Sequence, residues 1–419
     1  MNRLDELINE LCPDGVKKVA VGSFAKVQKV KNKDGHCDKA YSITKNGLVP
    51  TAEYFKDTKV TSDDTSGYRI VKRNWFVYSP SRIDVGSINF LRDADEVIVS
   101  PLNVVFSVDT QKIYPEYLLY YLQSWEGTWQ IITSREGIEG TGRKLLPFDK
   151  FAKIEVPVPP LEIQKEIIFI LTNFTEFIAE LTAELTARKK QYEYYRDLLL
   201  TFDKADETVL TDRQTDLIWI SLSDLFYTRN GYTPSKNHTE YWTNGSVPWF
   251  RMEDIRENGR ILSDAIQKVS ESAVKGQPFP QDSIIVATSA TIGEHALITV
   301  PSLANQRFTY LMLKEEYKEL VNMKFIYYYC FKLDDYCREN LNQGNFASVD
   351  MKKFAKFIFP IPSLEIQCRI VSILDRFDTL CNDLSSGLPA EIEARQKQYE
   401  YYRDKLLTFK LKKAAGASD

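Results

Sequence analysis

Histidine is nearly absent from this chain of 419 residues. His36, His238 and His295 are the full complement, and none stands in a metal-ligand spacing. They read as surface or loop histidines. The six cysteines (Cys12, Cys37, Cys330, Cys337, Cys368, Cys381) form no CxxC pair and no regular series, which excludes a thiol redox motif and a zinc ribbon. No apolar run reaches the length of a membrane span. The opening MNRLDELINELC is acidic and amphipathic, with no basic stretch ahead of an apolar core, so no secretory signal is expected. Unpaired thiols then fit a cytoplasmic protein. There is no GxGxxG fingerprint and no Asn-Pro-Pro-aromatic tetrapeptide of the kind used in amino methylation. GIEGTGRKL (Gly137 to Leu145) looks like a phosphate loop. However, it places Arg143 where Lys must follow the last Gly, and Leu145 where Ser or Thr must hold the metal. A basic surplus is missing too. The net charge is −4, which argues against a simple nucleic-acid binder. Acidic partner-facing helices combined with locally basic grooves would give the same total.

What is present is duplication. RKKQYEYYRDLLLTF (Arg188 to Phe202) returns as RQKQYEYYRDKLLTF (Arg395 to Phe409). Upstream, FAKIEVPVPPLEIQ (Phe151 to Gln164) returns as FAKFIFPIPSLEIQ (Phe354 to Gln367). Leu161 and Leu364 lie 203 positions apart, but Tyr192 and Tyr399 lie 207 apart. The second copy therefore holds four extra residues, near Ser385 to Pro389. Apolar positions recur in steps of four and three: Ile163, Ile167, Ile170, Phe174, Phe177, Leu181, then Leu185, Arg188, Tyr192, Tyr195, Leu199, Phe202. The second copy runs Ile366, Ile370, Ile373, Phe377, Leu380, Leu384, then Ile392, Arg395, Tyr399, Tyr402, Leu406, Phe409. This is a coiled-coil seam. At Leu181–Leu185 two steps of four follow one another, a stutter that relaxes the supercoil. Gly387 and Pro389 predict a break in the second helix. Prolines precede both helix starts, with Ser363 as the N-cap of the second. The first helix, at about 1.5 Å per residue, would be roughly 60 Å long and serve as a spacer.

A strand-rich segment rich in Tyr, Phe, Trp, Val and Ile precedes each helix. The two are distantly alike. WFVYSPSRIDVGSI (Trp75 to Ile88) parallels IIVATSATIGEHAL (Ile284 to Leu297) as strand, small polar loop, strand. YPEYLLYYL (Tyr114 to Leu122) parallels NMKFIYYYC (Asn322 to Cys330) as an amphipathic helix. If the second segment is compact, the end of the first helix lies near the start of the second. The helices are then antiparallel and the chain is nearly circular. The expected fold class is α+β: two similar mixed α/β domains and an antiparallel two-helix coiled coil, related by a pseudo-two-fold axis. The expected boundaries are 1–156 and 205–359 for the globular domains, 157–204 and 360–412 for the helices, and 413–419 for a disordered tail.

Polar, Gly-containing loops in the globular segments suit base reading, since Arg pairs bidentately with guanine and Asn or Gln with adenine. Lys and backbone amides hold phosphates. The candidate DNA-contacting residues are Lys45, Asn46, Arg82, Arg143 and Lys144 in the first segment. In the second they are Ser235, Lys236, Arg251, Thr291, Gln306, Arg307, Gln343 and Asn345. On the helices, Lys189, Lys190, Glu193 and Arg196, with Lys397, Glu400 and Arg403, form exposed faces suited to another subunit. Tyr192, Tyr195, Tyr399 and Tyr402 of the QYEYYRD blocks are expected to pack in the seam with their hydroxyls partnered at its edge.

The opening LDELINELCPDGV (Leu4 to Val16), the P-x-P-x-LEIQ helix starts, the paired QYEYYRD blocks and TSATIGEHALI (Thr288 to Ile298) together resemble the specificity subunits of type I restriction–modification systems, over essentially the full length. The resemblance implies two target recognition domains, each reading one half of a split, asymmetric DNA site across neighbouring major-groove turns. It implies helices that set the gap and dock two methyltransferase subunits, with restriction subunits joining the complex. S-adenosylmethionine, ATP and magnesium would belong to those partners. This chain would bind none of them and would not be catalytic by itself. The alternative is a coiled-coil adaptor whose end domains bind protein partners.

Overall fold

The computed structural model describes residues 2–56, 60–137, 144–202, 217–342, 347–383 and 386–412. Seven helices of nine residues or more run through them: α1 (Asn2–Leu11), α2 (Pro115–Gln123), α3 (Trp125–Thr133), α4 (Leu161–Leu199), α5 (Met323–Glu339), α6 (Leu364–Asn382) and α7 (Leu388–Leu406). The chain divides into two compact units. One comprises Met1–Leu181 and Ile392–Asp419, the other Thr182–Glu391. The first half of α4 belongs to the first unit and its second half to the second.

The first unit is built on a four-stranded antiparallel sheet. Six of its strands matter here: β1 (Lys18–Ala20), β2 (Ala25–Gln28), β3 (Phe76–Tyr78), β4 (Ile88–Phe90), β5 (Val104–Val108) and β6 (Glu155–Pro157). The sheet order is β2-β5-β3-β4, and β1 pairs separately with β6. Aromatic side chains fill the space under it. Phe76 stacks on Phe106 at 4.8 Å, and Tyr78 stacks on Phe151 at 5.0 Å. From α2, the Tyr117 and Tyr121 hydroxyls donate to Pro157 O (2.8 Å) and Glu155 O (2.9 Å), tying that helix to β6. Ile163, Ile167 and Leu171 of α4 and Tyr399, Leu406 and Leu407 from the chain's far end complete this core.

The second unit repeats the plan with β7 (Ile218–Ser221), β8 (Phe226–Asn230), β9 (Ser283–Ala287), β10 (His295–Ile298), β11 (Phe308–Leu313) and β12 (Ile358–Ile361). Its sheet runs β8-β11-β9-β10 with Ile261–Leu262 added at the edge, and β7 pairs with β12. The strand–loop–strand and amphipathic-helix parallels expected from sequence both hold: β3–β4 answers β9–β10, and α2 answers α5.

One buried side chain shows how closely the plans agree. Gln164 Nε2 donates to Lys112 O (2.9 Å) and Pro159 O (2.8 Å), while its Oε1 accepts from Tyr114 N (3.0 Å). Gln367 Nε2 donates to Leu320 O and Pro362 O (both 2.8 Å), and its Oε1 accepts from Asn322 N (2.8 Å). In the two units the Gln of LEIQ joins its own helix, α4 or α6, to the proline segment before it and to the start of α2 or α5. An amide can do this because it both donates twice and accepts.

The helices pair antiparallel inside each unit. In the first, Phe174 stacks on Tyr402 (5.5 Å, 23°) and the Arg395 guanidinium lies over Phe177 at 5.4 Å. In the second, Tyr195 stacks on Phe377 (5.7 Å, 24°), and Tyr192 lies 6.3 Å from the same ring. The QYEYYRD block of each copy thus packs on the LEIQ helix of the other copy. Near circularity is visible at the termini. Val16 N donates to Lys410 O (2.8 Å), and Lys412 N donates to Val16 O (3.1 Å). Gly15, at φ +98°, makes room for this, since a Cβ there would lie 2.5 Å from Lys410 O.

One further sequence expectation holds and several are corrected. The helix break falls between Asn382 and Leu388, as Gly387 and Pro389 predict. Ser363 takes the N-cap position, but its side chain makes no cap hydrogen bond. The buried stripe is wider than one seam. Leu171, Leu200, Val371, Leu374, Cys381 and Leu407 are buried, while Phe177, Tyr195 and Leu380 are about two-fifths exposed (41%, 37% and 37%). The reason is that each helix end faces a globular core as well as its partner helix. The Tyr192 hydroxyl is buried without a hydrogen-bond partner among the described residues, contrary to the expectation that it would find one. His295 is neither a surface nor a loop residue. It is fully buried on β10, with Nδ1 2.7 Å from Asp334 Oδ2. His36 and His238 are exposed and sit beside Glu96 and Glu240. The tail 413–419 lies outside the described residues.

Candidate nucleic-acid interface

In the first unit, three loops converge at one end of the sheet. The hairpin joining Tyr41–Thr44 to Gly47–Pro50 carries Lys45 and Asn46 at its exposed tip. The tip leans on the β3–β4 connection, where a Cβ on Gly86 would stand 3.2 Å from Lys45 Cγ. That connection carries Arg82, which is exposed. Its far side meets the third loop: Leu146 N donates to Pro80 O (3.0 Å), and the Tyr78 hydroxyl donates to Leu146 O (3.0 Å). Lys144 is exposed on the short strand Lys144–Leu145 that leads into that third loop. Lys45, Asn46, Arg82 and Lys144 are therefore brought together from three stretches of sequence. Arg143 lies outside the described residues.

In the second unit, the loop after β8 is pinned to the segment before β11. Gly231 N donates to Phe308 O (2.9 Å), Tyr232 N to Ala304 O (2.8 Å), and the Thr233 hydroxyl to Gln306 Oε1 (2.5 Å). Further along, Ser235 and Lys236 are exposed, and the Ser235 carbonyl accepts from Trp242 Nε1 (3.1 Å). Asn305 N donates to Phe250 O (3.0 Å), which sets Arg251 beside this group. Arg307 is exposed, and its carbonyl accepts from Thr288 N (3.0 Å). Thr288 O in turn accepts from Val349 N (2.9 Å). The β9–β10 loop with Thr291 thus joins the cluster. Ser235, Lys236, Arg251, Thr291, Gln306 and Arg307 converge. Gln343 and Asn345 lie outside the described residues.

Their states differ in ways sequence could not show. The Arg251 guanidinium lies over the Trp249 ring at 5.6 Å and 3.9 Å from Glu253, so it is half-buried and paired. The Thr291 hydroxyl is buried with no hydrogen-bond partner among the described residues. Lys275 was missed altogether. Its amide donates to the Tyr232 hydroxyl (2.7 Å) and its ammonium lies 5.3 Å from that ring, at the edge of the same cluster. Nothing in the surrounding sequence marks it, because its partner Tyr232 lies 43 positions away.

The helix faces are less uniformly open than the spacing suggests. Lys189, Lys190 and Glu193 are exposed, as are Lys397 and Glu400. Lys397 is ion-paired to Glu393 (2.6 Å), and Glu400 accepts from Gln396 (3.1 Å). Arg196 and Arg403 fold back. Arg196 lies over Phe331 at 4.3 Å and Arg403 over Tyr399 at 5.6 Å, with side chains only 17% and 14% exposed. A guanidinium next to an aromatic ring gains a cation–π contact and loses its freedom as a docking charge. Tyr194 and Tyr401 occupy the open face in their place, at 64% and 61% exposure. Among the described residues, no group of three or more His, Cys, Asp or Glu is arranged to hold a metal ion. No helix among them is long and apolar enough to cross a membrane.

Comparison with known proteins adds the following. The family model described as type I restriction modification DNA specificity domain matches twice, at residues 13–188 and 219–394. The EcoprrI specificity subunit of Escherichia coli is 56% identical over 200 residues, covering 46% of this chain and 50% of that protein. The match therefore spans half the length of that relative. The EcoR124I/EcoR124II specificity subunit of Escherichia coli is 37% identical over 327 residues, 74% of either chain. Among solved structures, one described as the structural basis of complex assembly and conformational transition of the type I R-M system superposes with a TM-score of 0.60 at 15% identity, covering 94% of this chain and 97% of that one. The HsdS subunit from Thermoanaerobacter tengcongensis superposes with a TM-score of 0.50 at 16% identity, covering 95% and 96%. At such identities the likeness is one of fold.

Proposed function

We propose that this chain, which belongs to the family of type I restriction–modification specificity subunits, reads one half of a bipartite, asymmetric DNA site with each of its two units. DNA sequence specificity is the role of that family. The finer assignment is that the loop cluster of Lys45, Asn46, Arg82 and Lys144 meets one half-site. The cluster of Ser235, Lys236, Arg251, Thr291, Gln306, Arg307 and Lys275 meets the other.

The observation that carries this reading is the contrast within the duplication. The supporting parts match residue for residue, in the Gln164 and Gln367 joints and the two Phe–Tyr stacks. The loops at the sheet ends share neither length nor sequence. One device on two closely similar mounts suits two different targets.

Two methyltransferase subunits would dock on the paired helices, and restriction subunits would join them. S-adenosylmethionine, ATP and magnesium would be held by those partners, and this chain would direct their chemistry without performing it. The cell compartment would be the cytoplasm. The test is genome-wide adenine methylation mapping in cells with and without this chain, its partner subunits present in both. A bipartite motif that appears only with the chain is the expected result. An unchanged methylome would overturn the reading.

A further inference from the structure

Beyond the proposed DNA contacts, each unit carries an arginine that reaches from its helices to one strand-connecting loop, β3–β4 in the first unit and β9–β10 in the second. Arg135 follows α3. Its guanidinium forms an ion pair with Asp84 and donates to Ser81 O (3.1 Å) and Lys144 O (2.8 Å). Its side chain is 12% exposed. It therefore locks the β3–β4 loop, which carries Arg82, to the segment that carries Lys144.

In the second unit Arg338 stands in the last turn of α5. It donates to Gly293 O (2.5 Å) and pairs with Asp335 (2.6 Å). Gly293 closes the β9–β10 loop that carries Thr291. Its φ is +79°, and a Cβ there would lie 2.7 Å from Arg338 Nε. The two arginines occupy similar places, each near the end of a helix and bonded to the loop between corresponding strands, although the local sequences around them differ.

We propose that Arg135 and Arg338 are positioning residues for base reading, each setting the loop geometry of its own half-site. The inference rests on the base-reading assignment above. Its physical basis is the planar fork of guanidinium, which holds several acceptors at fixed angles. In the first unit it fixes the relative placement of two loops that are also joined by the Leu146 N to Pro80 O hydrogen bond. Base discrimination depends on donors and acceptors held in register with the base edges. A loop freed to shift keeps its phosphate attraction and loses its selectivity.

The experiment is methylome mapping of the intact complex assembled with R135A, D84N, R135K or R338A chains, alongside thermal unfolding of each complex. R135A is expected to raise methylation at sites mismatched in one half-site by about tenfold relative to the matched site, leaving the other half-site strict. R338A is expected to relax the opposite half-site. R135K keeps the charge without the fork and should relax the same half-site as R135A. D84N keeps both carbonyl contacts and should give a smaller effect in that half, which serves if R135A fails to assemble. Unchanged fidelity in both halves, or equal relaxation of both, would overturn the inference and leave the base-reading assignment standing. A wild-type complex that marks no bipartite site would overturn both.

Discussion

Gln164 and Gln367 are fully buried, and each makes hydrogen bonds to three backbone groups. Removing one partner of a buried hydrogen bond exposes the desolvation cost of the group left behind, ~1–3 kcal/mol each. Gln164→Leu is expected to destabilise its unit by about 3 kcal/mol, measured by chemical denaturation. Gln164→Glu should not restore it, because a carboxylate cannot donate to the two carbonyls. Asp378 is a different case. Burial is the main cause that raises its pKa above the usual 3.8; a hydrogen bond from Asn382 opposes this, and the Asp375 carboxylate adds to the rise. A carboxyl whose pKa is raised by folding favours the folded state at low pH, and that contribution is lost as pH rises through the folded pKa. Asp378→Asn should therefore raise the melting temperature at pH 7. The gain should vanish as pH falls below 3.8, which thermal melts across pH would show.

At the scale of elements, the long helix is shared between the two units, and the short helices α6 and α7 divide between them the same work in the other copy. The ring stacks that hold each pair are equivalent under the repeat: Phe174 with Tyr402, and Phe377 with Tyr195. The stutter at Leu181–Leu185 lies at the division itself. Deleting Thr182–Leu185 removes about 6 Å of helix, at about 1.5 Å per residue. The expected outcome is methylation of the same two half-sites across a shorter gap. An unchanged gap would show that helix length is not the measure.

At the scale of the molecule, the units do not follow the order of the chain. Residues from Ile392 onward complete the first unit: Tyr399, Leu406 and Leu407 are part of its core, and Lys410 and Lys412 pair with Val16. A chain truncated before Ile392 should lose the first unit and keep the second. Hydrogen exchange is the measurement. Fast exchange is expected through residues 18–171 beside retained protection in β8–β11 and α5. Loss of protection in both units would contradict this division. Most of this organisation is legible in periodicity and repetition, because amphipathic spacing and proline breaks are local and survive duplication intact. The antiparallel pairing is legible as well, because a compact domain of that length leaves its ends close together.

The sequence by itself determined the helices, their break after Asn382, the two-unit plan and the loops in which the polar candidates sit. Each of these depends on neighbours along the chain. Only the tertiary structure decided which candidates share a surface, and that Arg196 folds back onto the distant Phe331 ring. It alone decided that His295 is core and that Arg135 and Arg338 span from helix to loop. Those outcomes depend on contacts between residues up to a hundred or more positions apart. No local pattern encodes such a contact, because its strength comes from the geometry and low dielectric that only the packed interior supplies.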